Sequence, residues 1–483
     1  MTATTIKQFG LCVFALCCWC TALVAAPLQG KARADSLLNE LRKPNTDTTR
    51  IILLNALAWE CRQSNTDTAI LLGKQAQEIS ERLCQSKLPA VAAAALKRLG
   101  DAYRGLGVFY NMKGEQGLAM DHFVKSYAIV KQTADKRGEM LLMNNMGLLC
   151  WSEGNYAAAL DHFSKGKKLA EELKNVRTLA NVLGNMGMIF VEKGDYIKGL
   201  DYQQQALKIN TDNNIKGERA INLGNIGLVY DNMGDYPKAI DYEFQALKVK
   251  EEVNDRLGYA LTLGNIGMIY GEENDTARAL QYYQKALETA EKLGNRSEIA
   301  RNLTNEGGVY NQEKRFAKAM ECYSHALTLS EEIQSLHVIP YILRGIGGIL
   351  EGQGDSATEQ KNAAYAKDIK FPQAQKYYQQ SLEMALKVGD KSSVADAYGS
   401  LGTVEMKLGK YAEAEKNLMK SLAIRDSSGE LDKQRYLHQQ LSELYEHQGL
   451  SVKALFHFKK YTQLKDSVFT LEKNKEITRK ELN

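Results

Sequence analysis

One glycine returns every 40 residues, at 107, 147, 187, 227, 267, 307 and 347. A second marks 114, 154, 194, 234 and 354, with Asn274 and Lys314 in its place in two units. After a 15-residue insertion the register resumes at Gly402, Gly409 and Gly449, and alanine recurs at 119, 159, 239, 279, 319, 374, 414 and 454. A period this strict excludes one large globule. It specifies a stacked array, in which each unit buries its apolar face only against its neighbours. The 483 residues are in any case too many for one ordinary core.

The unit 226–265 shows what repeats. Six prolines in the whole chain, with abundant Ala, Leu, Lys and Glu, favour helices. Gly234 suits the left-handed position that ends a first helix. Asp235 can cap a second helix, with Pro237 in its first turn. Leu223, Gly227 and Tyr230 share one face of the first helix, and Ala239 and Ala246 one stripe of the second. Small residues there let helix approach helix, while Tyr and Phe fill the space beside them. The expected fold is all-α: a right-handed α-solenoid of antiparallel helix pairs.

The positions Gly227, Tyr230, Gly234, Tyr236, Ala239 and Ala246 resemble the signature of the tetratricopeptide repeat. That repeat usually has about 34 residues, so the present helices are longer. The length, with Leu223-Gly224-Asn225-Ile226-Gly227, is similar to the repeats of G-protein signalling modulator scaffolds. The resemblance covers about Arg50 to Lys480 and implies a binding scaffold rather than an enzyme. Its expected division is 35–105 as a degenerate first repeat with N-terminal helices, marked by Trp59, Ala69 and Ala76, and 106–355 as regular units. Residues 356–370 form an insertion between the two helices of one unit, 371–451 continue the repeats, and 452–483 form a long charged capping helix.

The first 26 residues read as an export signal. Lys7 precedes a stretch from Phe9 to Ala26 without a charge, and small residues follow. Cleavage is expected near Ala25 or Ala26, or as late as Ala34; an uncleaved anchor is the alternative. The expected location is periplasmic or secreted. The pattern Lys465-Asp466-Ser467-Val468-Phe469, with Glu472-Lys473-Asn474-Lys475, resembles the exit helix of bacterial envelope sensor proteins, as Asn55 to Trp59 resembles the start of their sensor regions. That resemblance implies an alternative role. The chain would be the sensory input region of a signal-transduction regulator whose membrane and output parts are missing or separately encoded.

The favoured ligand contacts are Asn145, Asn185, Asn225, Asn265 and Asn305. Each precedes the packing glycine by two residues, about 160° around the helix from it and away from the partner helix. Asparagine is a mediocre helix former, so its recurrence in mid-helix asks for a reason. Stacking would align the amides along the concave wall, where donor and acceptor together suit an extended peptide backbone. The competing reading is that they bond neighbouring helices and merely fix the stack. In peptide-binding tetratricopeptide domains an asparagine at this position often contacts the ligand. The basic pair that completes a carboxylate clamp is unmatched, with Arg301 alone at a comparable place.

Other chemistry is not indicated. The net charge of +4 gives no reason to expect nucleic acid or an anionic membrane as partner. Cys61, Cys84, Cys150 and Cys322 form no CxxC pair, and helix geometry separates Cys61 from Cys84 too far for a disulfide. His122 and His162 share one repeat position, which Tyr202 and Tyr242 take in the next units. That exchange suits packing rather than metal binding, and no cofactor is expected. Acidic residues are expected on solvated helix faces. The favoured function is capture of a protein or peptide segment in the concave groove.

Overall fold

The computed structural model describes residues 31–62, 65–428 and 430–481. The export-signal expectation therefore falls outside the described residues. Among those described, regular structure is entirely helical. The chain divides into two compact units, one ending at Ile189 and one beginning at Phe190.

The first unit contains α1 (Lys31–Leu41), α2 (Asp47–Cys61), α3 (Thr66–Cys84), α4 (Pro89–Met112), α5 (Gln116–Gln132), α6 (Lys136–Ser152) and α7 (Tyr156–Glu172). The division falls within α8 (Val176–Glu192). The second unit opens with α9 (Tyr196–Asp212), α10 (Lys216–Asn232), α11 (Tyr236–Glu252), α12 (Arg256–Glu272), α13 (Thr276–Leu293), α14 (Arg296–Gln312) and α15 (Phe316–Glu332). It continues with α16 (Ile339–Glu359), α17 (Ala363–Tyr365), a π-helix (Ala366–Lys370), α18 (Phe371–Val388), α19 (Lys391–Lys407), α20 (Tyr411–Ser428), α21 (Leu431–His447) and α22 (Ser451–Glu481).

Within each unit the helices pack in sequence. α4 lies on α5, α6 on α7, α10 on α11 and α12 on α13, and the second helix of a pair also meets the first of the next. The turn after α10 shows how the residues enforce this. Gly234 takes φ +73°, and the Asp235 amide then returns to the Tyr230 carbonyl at 2.8 Å. The Asp235 carboxylate accepts the Lys238 amide at the start of α11, beside Pro237. Asn274 and Lys314, which replace the glycine in two repeats, hold the same left-handed conformation at φ 63° and 57°.

The recurrent alanines are buried where helix meets helix; Ala119, Ala159, Ala239, Ala279, Ala319, Ala374 and Ala414 are all 0 % exposed. The packing glycine makes room for a ring. A Cβ on Gly267 would lie 2.8 Å from the Tyr283 ring, and one on Gly147 2.6 Å from Phe163.

Gly354 departs from its expected role. It does not end a helix but lies inside α16, with Phe371 against it. The insertion delays the second helix of that pair, so the first continues to Glu359 and the left-handed turn moves to Lys361, φ 63°. Among the described residues no helix is long and apolar enough to cross a membrane. The long α22 reaches back within its unit, where the Lys475 ammonium donates to the Asn232 carbonyl at the end of α10 at 2.8 Å.

Candidate functional site

The five asparagines do not share one environment. All are half-buried. In the first unit, Asn185 donates to the Asn144 side chain at 3.1 Å, and the Asn145 amide nitrogen is buried without a partner. In the second, Asn225 donates to Gln203 Oε1 at 3.4 Å and Asn265 to Glu243 Oε1 at 3.2 Å. Gln203 and Glu243 lie on α9 and α11, the helices that precede the asparagines in the stack. These two amides therefore do fix neighbouring helices. They also open, together, onto a cavity of about 310 Å³, which Asn145, Asn185 and Asn305 do not line. Arg301, the candidate clamp residue, is bonded to Glu298 on its own helix and to the Leu261 carbonyl of α12.

The cavity lies between α10 and α12, with α11 as its floor. It exists because of one residue type. In five other repeats an aromatic ring rises from the second helix onto the packing glycine: Phe123, Phe163, Tyr283, Tyr323 and Tyr378. In α11 that slot holds Glu243, whose Cγ would lie 3.3 Å from a Cβ on Gly227. A carboxylate is much smaller than an aromatic ring and does not fill the space between repeats. Gly224 adds no side chain above it; a Cβ there would lie 3.8 Å from Glu243 Oε2.

Glu243 is 3 % exposed. Its Oε1 accepts from Asn265, while Oε2 is buried with no hydrogen-bond partner. Asp231, also lining the cavity, has an Oδ1 in the same condition. Lys250, a third ionisable lining residue, directs its ammonium to Thr262 Oγ1. Burial pushes the Glu243 carboxyl up to about 7, against the Asn265 hydrogen bond and the Lys250 charge, and Asp231 adds to the rise. Burial, reinforced by the charge of Glu272, pushes Asp231 up to about 7 as well. Burial lowers the Lys250 ammonium, opposed by Glu243 and then Asp255. Such unpartnered buried oxygens are costly unless something completes them.

The adjacent repeat shows a better-bonded version of the same substitution, in which only Asn210 Oδ1 is left buried without a partner. Gln203 stands in the aromatic slot of α9 and accepts from both Asn222, at 3.2 Å, and Asn225. Asn210 in turn donates to Asn222 at 2.7 Å. A second cavity, of about 250 Å³, lies beside Asp396 and Arg425. Its charges are already paired: Arg425 bonds Asp396 and Glu430, and Arg344 lies 3.6 Å from Asp396. His122 stacks on Tyr110, ring centres 5.2 Å apart. This fits the packing role read from its exchange with tyrosine.

The placement of acidic residues on solvated faces needs correction. Glu243, Glu298 and Glu405 are 3, 8 and 4 % exposed, because their positions in the repeat face neighbouring helices. The signal for Glu243 was present in the register. Positions 123, 163, 203, 243, 283 and 323 read Phe, Phe, Gln, Glu, Tyr, Tyr, and a carboxylate amid aromatics marks a polar interior. Positions 210 and 250 likewise hold Asn and Lys where 170 and 290 hold Ala.

The tetratricopeptide repeat profile matches residues 178–252, 258–332, 363–427 and 393–467, more than half of the chain. The protein belongs to the tetratricopeptide repeat family. No match is found among curated proteins. Among solved structures the chain is similar to a Rap protein complexed with competence and sporulation factor (14% identity, TM-score 0.45), covering 75% of this chain and 99% of that one. It is also similar to aspartyl phosphate phosphatase F from Bacillus subtilis (15% identity, TM-score 0.42; 88% and 95% covered). A third similarity is to a signal transduction ATPase with a tetratricopeptide repeat sensor from Pyrococcus horikoshii (14% identity, TM-score 0.48), covering 76% of this chain and 55% of that one.

Proposed function

We propose that this protein is an exported scaffold that holds a peptide or protein segment against the wall formed by its first helices. The observation that carries the reading is the cavity shared by Asn225 and Asn265, whose floor bears an incompletely bonded carboxylate. A primary amide both donates and accepts, so one that already donates to Gln203 or Glu243 retains a carbonyl oxygen for a ligand amide. Holding these groups on packed helices presents them preorganised, which lowers the ordering cost of binding. No catalytic step belongs to this reading.

The test is a titration of a peptide library against the chain and against a variant with Asn225 and Asn265 both changed to Ala. Capture should be lost while the helical circular dichroism signal is kept, with a lowered melting temperature because Gln203 and Glu243 each lose a donor. Undiminished binding would remove the role of the asparagines. Export is tested by cell fractionation with sequencing of the mature N-terminus. The expected start lies between residues 26 and 35, in the envelope or medium; an intact cytoplasmic chain would overturn it.

The alternative role, sensory input to a regulator, draws support from the contact of Lys475 with Asn232. It links the terminal helix to the helix that bears Asn225. Deleting α22 should then leave ligand capture intact and abolish the response of any downstream output.

A further inference from the structure

We infer that the cavity between α10 and α12 is a specificity subsite for a cationic side chain, lysine or arginine, of the bound segment. The inference rests on the peptide-groove reading above and adds to it the chemistry of one ligand position.

Three observations converge. First, the repeat's own pattern calls for a ring at position 243, and rings fill that slot at Phe163 and Tyr283. Glu243 instead leaves an open cavity of about 310 Å³ with a carboxylate at its base. Second, the cavity is incomplete in charge and hydrogen bonding. Glu243 Oε2 and Asp231 Oδ1 each lack a partner, while the single lining ammonium, Lys250, is engaged with Thr262. In the neighbouring repeat Gln203 Oε1, in the same slot, accepts from two amides, so a polar residue there can be bonded by its neighbours. Third, the chain brings a cation of its own to this corner. Lys475 of α22 donates to the carbonyl of Asn232, the residue after Asp231, and its charge acts on Glu272.

An ammonium or guanidinium entering over Gly224 would donate to Glu243 Oε2 and Asp231 Oδ1, supplying the missing donors. A lysine or arginine stem is apolar and suits the upper wall, formed by Ile221, Leu228 and Met268. An anionic side chain would face two carboxylates. An apolar one would leave both buried oxygens unpartnered.

The test uses the full chain and a library of acetylated, amidated hexapeptides in which each position is fixed in turn as Lys, Arg, Glu, Leu or Gln. Wild type should select Lys or Arg over Gln at one position by roughly tenfold or more, the worth of a charge-assisted hydrogen bond. E243Q keeps the shape, removes the charge and should fold at least as well. It should lose that preference while keeping selection at other positions. E243Y restores the ring found in other repeats, fills the cavity and should exclude long side chains at that position. If the wild type binds peptides with no basic preference, or E243Q retains the preference, the subsite is refuted and the groove reading stands. If no peptide binds wild type at all, the groove reading fails and the subsite with it.

Discussion

Alanine in place of the packing glycine should have different consequences in adjacent repeats, and the difference measures the space that Glu243 leaves. In a helix interior Gly→Ala stabilises by about 1 kcal/mol through backbone entropy. At Gly267 the new methyl would lie 2.8 Å from two ring atoms of Tyr283 and 3.2 Å from the Ala279 carbonyl oxygen. At Gly227 the corresponding carbonyl, of Ala239, is also at 3.2 Å, but the nearest side-chain atom is Glu243 Cγ at 3.3 Å. The backbone contact is common to both sites, so the ring alone separates them. Overpacking of this kind costs about 1–3 kcal/mol, so Gly267→Ala should destabilise by about 0–2 kcal/mol net. Gly227→Ala should be more stable than that by about 1–3 kcal/mol, close to neutral or mildly stabilising. Urea unfolding followed by far-UV circular dichroism reads the difference. A cycle with Tyr283→Ala supplies the control: once the ring is removed, Gly267→Ala should become favourable by about 1 kcal/mol. Equal effects at the two glycines, or an unchanged cost in the Tyr283→Ala background, would refute the argument that ring packing sets the glycine and that Glu243 relaxes it.

Other consequences can be measured with the same assay. Lys314→Gly should stabilise by about 1 kcal/mol, because a non-glycine side chain is strained at φ 57°; a loss of stability would oppose this. Glu243 and Asp231 are both raised to about 7, so the folded chain holds protons that the unfolded chain releases above about pH 4. Stability should therefore fall as pH rises from about 4 to 7, and E243Q should flatten that slope. The His438–His457 pair acts in the opposite sense. The rings are buried with their Nδ1 atoms 2.8 Å apart, and burial, joined by the charge of His438, lowers His457 to about 4. The unfolded chain takes up protons first, so this pair should lose stability as pH falls from about 6.5 to 4, a loss absent from a His438→Leu/His457→Phe variant. Phe163→Ala should cost about 3–5 kcal/mol, since the ring is 0 % exposed and the space beneath Gly147 cannot close.

Much of the scaffold was legible because the period repeats each local signal. Gly234, Asp235 and Pro237 end one helix and begin the next where their chemistry places them, and the alanine series marks close helix contacts in the second helices. The candidate site was half legible. The asparagines stood out by their spacing, yet spacing could not say that Asn225 would bond Gln203 and Asn265 would bond Glu243. Gly354 misled for a related reason. A glycine ends a helix only if the chain must turn there, and the insertion removes that need.

The amino-acid order alone fixes the helix boundaries of the regular repeats, the pairing of helices and which residues recur at equivalent places, since all of these follow from local geometry repeated at a constant interval. Whether a given equivalent place is filled or hollow depends on what α10, α11 and α12 bring together across 40 or more residues of chain. The register of Glu243 among aromatics marks it in sequence as an interior acid, but not what surrounds it. Three helices closing around it bury the carboxylate beneath the cavity and leave one oxygen without a donor.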